Sequence, residues 1–138
     1  MVYGQSLAHD RRGAAIVEFA LLLPLLAALL FGILSYGQYF LLAHSVQGLA
    51  NDAARATVAG LTTAERARLV ADTVSAELPG INAMPADRVT SRIEEQAGLA
   101  IVTVRLDATG TALFRTPLVP LPPALIERRA VIRIGGGA

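Results

Sequence analysis

Cysteine is absent from the 138 residues, which removes disulfide staples, thiolate metal sites and a cysteine nucleophile together. The absence leaves the compartment open. Charge is equally scarce in one long interval: between residues 19 and 51 no side chain is formally charged, and His44 is the only ionisable imidazole there. Net charge is only +1, with acids and bases interspersed after Asn51, so the footprint of a nucleic-acid binder is missing. No glycine-rich phosphate cradle occurs, because Gly135, Gly136 and Gly137 precede no helix whose amide end could hold an anion. His9 and His44 flank opposite ends of the apolar stretch and cannot share a metal. Glu94 and Glu95 are neighbours on an expected strand and so point to opposite faces, which argues against a paired-carboxylate site. No serine sits in a nucleophile elbow. An enzyme is therefore the least supported class, and neither metal nor cofactor is expected.

What is present is one apolar run. A membrane's hydrocarbon core takes about 20 residues of helix at roughly 1.5 Å each, and residues 14–34 supply that length with a single exception, Glu18. A carboxylate at the bilayer centre costs about 2.5–3.5 kcal/mol and less near the edge. Glu18 lies one helical turn past Ala14, the i and i+4 relation. Were the bond after Gly13 cut, Ala14 would carry an α-amino cation at the spacing that neutralises Glu18, in its own chain or a neighbour's. The plainer alternative is that Glu18 sits at the interface and snorkels to water.

Flanking charge gives an orientation. Arg11 and Arg12 immediately precede the run, whereas the next arginine after it is Arg55; this predicts a cytoplasmic N-terminus and an exported C-terminal body. Tyr36, Tyr39 and Phe40 would then lie at the outer interface, where amphipathic rings settle. A secretory signal shares the basic start and apolar core. Against it, the run exceeds the usual h-region of about 7–15 residues and no small-x-small cleavage site follows.

Arg12-Gly13, Val17-Glu18-Phe19-Ala20-Leu21, Pro24, Phe31-Gly32 and Asn51-Asp52-Ala53-Ala54-Arg55 occur in one order at one spacing. In this the segment resembles the TadE-like family, pseudopilins of the tight-adherence (Flp) pilus machinery. The basic leader ending in glycine looks like a type IV prepilin processing site. The resemblance implies a minor pilin or pseudopilin held in the bacterial inner membrane, cut between Gly13 and Ala14 by a prepilin peptidase, and assembled through its N-terminal helix. Ala14, Glu18 and Phe19 would form the assembly and charge-pairing group. Implied partners are other pilin or pseudopilin subunits, the peptidase, the inner-membrane assembly platform and the lipid bilayer. An uncleaved single-pass protein with an exported binding module is the alternative.

Glycine at a scissile position leaves the extended chain unobstructed in a protease cleft. Pro24 inside the helix deletes one backbone hydrogen bond, so a kink is expected. Gly32 and Gly37 offer small surfaces without strict G-x-x-x-G spacing. Past Leu42 the helix should run on to about Val58, with Val46, Leu49, Ala50, Ala53 and Val58 as an apolar stripe opposite Gln47, Asn51 and Arg55, and stop at Gly60.

Thr62-Thr63-Ala64-Glu65 reads as a capping box. It opens a second helix over 63–78 that buries Ala67, Val70, Val74 and Leu78 or their neighbours, leaves Glu65, Arg66, Arg68 and Asp72 as a solvated face, and ends at Pro79-Gly80. Residues 81–87 read as a loop. Strands are expected over 88–94, 99–106 and 126–134, forming a small antiparallel sheet. Pro117, Pro120, Pro122 and Pro123 make 116–123 an extended loop, and the glycine tail should be mobile. The expected class is α+β: a leader at 1–13, a long helix at 14–60 that is transmembrane in its N-terminal half, and a small exported domain at 61–138.

Overall fold

The computed structural model describes residues 11–81, 86–109, 111 and 120–134, with Arg11 and Arg12 by backbone alone. Expectations for residues 1–10, including His9, for 82–85, for 116–119 and for the glycine tail lie outside the described residues. The apolar run and the amphipathic stretch that follows it form one helix, α1, Arg11–Ala56. Its 46 residues reach about 70 Å. The helix assignment continues without a break through Pro24.

A short 3-10 turn, Thr57–Ala59, tightens the end of α1, and the Gly60 amide donates to the Thr57 carbonyl at 3.1 Å. Gly60 is the expected stop, but conformational freedom is not the reason, since its φ of −83° suits any residue. Space is the reason: a Cβ there would lie 2.6 Å from Arg66 Cγ and 3.0 Å from the Arg66 amide nitrogen. Gly60→Ala should therefore push the start of the second helix off the stalk and destabilise the body by about 1–3 kcal/mol, read as a lowered thermal midpoint in detergent.

The second helix, α2, covers Thr63–Glu77 and is followed by a 3-10 turn, Leu78–Gly80. The Thr62 hydroxyl accepts from the Glu65 amide at 3.2 Å, as a capping box requires. Glu65 reaches back one residue further than the motif asks, accepting from the Leu61 amide at 2.9 Å.

Three antiparallel strands follow: β1 at Val89–Gln96, β2 at Leu99–Asp107 and β3 at Leu125–Arg133, in the order β1-β2-β3. Alternation sets the faces. Ala100, Val102, Val104 and Leu106 of β2 and Ile126 and Ala130 of β3 are buried, and both helices lie on that face. They close one core with Ala43, Val46, Leu49, Ala50, Ala53 and Ala54 of α1 and with Val70, Val74 and Leu78. The C-terminal part of α1 is thus itself core.

Three expectations about this packing need correction. Val58 is 60% exposed, and Thr57 is buried in its place with its hydroxyl on the Ala54 carbonyl at 2.6 Å. Eleven residues return a helix to within about 20° of its starting direction, twelve overshoot by more than 100°; from Val46 the inward position is 57. Ala67 is exposed, and Arg66 is not part of a solvated face. The buried stripe of α2 runs at a spacing of four through Val70, Val74 and Leu78, and Arg66 extends it. Its guanidinium reaches Glu95 of β1 at 3.1 Å with only 16% of the side chain exposed.

The β1–β2 turn left no expectation. Ala97 and Gly98 both take positive φ, 52° and 74°, as a two-residue hairpin turn of the primed kind demands. Alanine is a poor occupant, at a cost of about 1–2 kcal/mol in that region. Ala97→Asn, the favoured residue before glycine in such turns, should raise the thermal midpoint by a few degrees, about what 1 kcal/mol gives a small domain.

Candidate functional site

The stalk divides by its surroundings. Up to about Leu41 its large apolar residues face outward on all sides: Ile16, Val17, Phe19, Leu21, Leu25 and Leu29 are each at least 59% exposed. A helix apolar all round needs an apolar surround, and this one is long and apolar enough to cross a membrane, with none of its apolar window buried by the rest of the chain. One membrane-crossing N-terminal helix is the result. From Ala43 onward only one stripe is apolar, and that stripe is buried.

Glu18 lies on the first part. Ala14, Glu18 and Phe19 are all exposed, so the acid faces whatever surrounds the helix, one turn above Ala14 and on its side. Gly13 is half-buried and helical, although glycine is a poor helix former. That departs from the extended conformation in which proteases take a scissile bond. Cutting after Gly13 therefore requires the helix to unwind locally around that bond.

Beyond the lipid-length segment, Tyr36 donates its hydroxyl to the Pro120 carbonyl at 3.2 Å, and the Gln47 amide donates to the Arg129 carbonyl at 3.3 Å. β3 therefore ascends in the same sense as α1. Tyr39 and Phe40 meet edge to face, ring centroids 5.8 Å apart.

Elsewhere the polar groups serve structure. Glu127 accepts from Arg105 at 2.5 Å and from Arg129 at 2.9 Å; these two guanidiniums hold its carboxyl below the usual range. Asp107 is lowered by hydrogen bonds from the Thr109 hydroxyl and amide, whereas partial burial, with Asp52 adding to it, raises Glu77. Glu94 and Glu95 do take opposite faces, Glu95 toward Arg66 and Thr63 and Glu94 within 3.8 Å of Arg92. Among the described residues no cluster of three or more His, Asp or Glu could hold a metal. His44 is exposed on α1.

Residues 13–55 match the family model described as TadE-like protein. Among curated proteins and solved structures, nothing matches the chain.

Proposed function

From the premise that residues 13–55 are a TadE-like domain, we propose that the protein is a minor pilin or pseudopilin of a tight-adherence pilus system. The observation that carries this reading is Glu18, a lone exposed acid one turn above Ala14 on a helix otherwise built for lipid. In the proposal residues 1–13 are a leader removed by a prepilin peptidase, 14–60 the assembly helix and 61–138 the exported body. Arg11 and Arg12 hold the N-terminus in the cytoplasm. Ala14's new α-amino group then pairs with Glu18 of a neighbouring subunit as helices leave lipid for the assembly. Two opposite charges buried together are tolerable where one is not. Pro24 lets the helix bend at the point where its hydrogen-bond ladder is already broken.

A second reading is favoured by one observation, the helical setting of Gly13: an uncleaved single-pass protein whose exported domain binds a partner. Mass spectrometry of the chain extracted from membranes of cells that carry the peptidase separates the two. A mature N-terminus at Ala14 is expected; an intact leader would reject processing and leave the second reading.

A further inference from the structure

The outward apolar surface of α1 is longer than a bilayer needs. It begins at Ala14 and continues past Leu34 to Phe40 and Leu41, 66% and 52% exposed, before the exposed His44. Residues 14–41 measure about 42 Å along the axis, against a hydrocarbon core of about 30 Å. Tilt alone would have to exceed the usual range of about 0–40° to take up that surplus. The helix can instead sit in either of two registers. With residues 14–34 in oil, Glu18 is drowned and Phe40 and Leu41 stand in water. With residues 19–38 in oil, about 30 Å of helix, Glu18 reaches one interface and Phe40 and Leu41 lie at the acyl boundary of the other. Each of these preferences favours the second register.

The body fits that register. The chain rises from Pro120, held at the level of Tyr36 by its hydroxyl, through β3 to Arg129, held at the level of Gln47. Leu125 begins that strand between the two contacts. Uncharged Ser35 and Gln38 complete the zone, the amphipathic composition that suits the boundary between headgroups and acyl chains.

We infer that the body rests directly on the lipid surface of the leaflet it emerges from, with Phe40 and Leu41 of α1 inserted at the acyl boundary. The partner is the bilayer itself, continuous with the span. The inference rests on the membrane crossing and not on cleavage or on the pairing of Glu18.

The chain contains no tryptophan, so single tryptophans report cleanly. Full-length Phe40→Trp, Leu29→Trp and Leu61→Trp variants are reconstituted in phosphatidylcholine vesicles brominated at shallow or deep acyl positions. Leu61, 87% exposed, lies at the far end of the body and should emit as in water, unquenched. Leu29→Trp should respond to deep bromines. Phe40→Trp should emit to the blue and lose about half its intensity to shallow bromines, as an interfacial ring does. Water-like, unquenched emission at position 40 with position 29 still quenched would overturn the lipid seating and leave the proposed function standing. Loss of quenching at position 29 as well would overturn the membrane crossing, and both readings with it.

Discussion

Glu18→Ala should insert into membranes at least as well as the wild type and yet assemble at least about a hundredfold less, counted as sheared pilus protein or as crosslinked subunit pairs. The two effects have opposite signs because they act on different states. In the lone subunit the carboxylate is a cost, up to about 2.5–3.5 kcal/mol if it is drawn to the bilayer centre, and alanine removes it. In the proposed assembly the carboxylate is half of a pair, and deleting one partner of a buried pair costs about 3–5 kcal/mol because the other charge stays behind without compensation. Each 1.4 kcal/mol is tenfold, so a single contact already gives the stated loss. Glu18→Gln keeps shape and hydrogen bonding but not charge, and it should fail almost as badly. If Glu18 only snorkels to the cytoplasmic interface, both variants should assemble normally, and that outcome would remove the proposed role.

Much of this architecture was legible because it obeys one periodicity at a time. Residues 14–34 are apolar in every direction save at Glu18, a composition that suits lipid, and β2 is rich enough in β-branched and apolar side chains to read as a strand. The Thr62 cap and the Gly60 stop were readable as local chemistry, although the space beside Arg66 that requires glycine at 60 depends on how α2 folds back. The misreadings share a cause. Val58 falls five residues past Ala53 and so off the three- and four-residue stripe, and the helical angle from Val46 and Val70 selects Thr57 and Ala67's neighbour Arg66 as the inward positions. Arg66 could be buried only because Glu95 waits on β1, a contact 29 residues away in sequence that no window along α2 contains. The Ala97-Gly98 turn was silent because alanine is not a residue that announces a positive φ. Of the site, residue types and spacing at Ala14 and Glu18 were fully present in the sequence; the helical state of Gly13 was not, since glycine in a leader reads as readily as extended chain.

Leu49→Ala should leave the span in the membrane and release the body from its stalk. Leu49 is 2% exposed and sits where α1 meets α2 and the sheet, among the largest fully buried side chains. Its truncation costs about 2–5 kcal/mol through lost transfer energy and the cavity left behind. A core of this size supplies only about 3–5 kcal/mol in total, so one such cavity is enough to populate the unfolded body. Limited proteolysis of reconstituted full-length protein should then cut within residues 61–134 much faster than in the wild type, while a fragment covering the lipid-embedded helix survives. Leu29→Ala, facing outward at 59% exposure, should change neither. Equal cleavage of Leu49→Ala and wild type would mean that the body holds together without the stalk. The comparison with Glu18→Ala then carries the functional weight: both variants should lose assembly, but only Leu49→Ala should lose it with a proteolysed body, which separates a charge needed between subunits from a core shared within one.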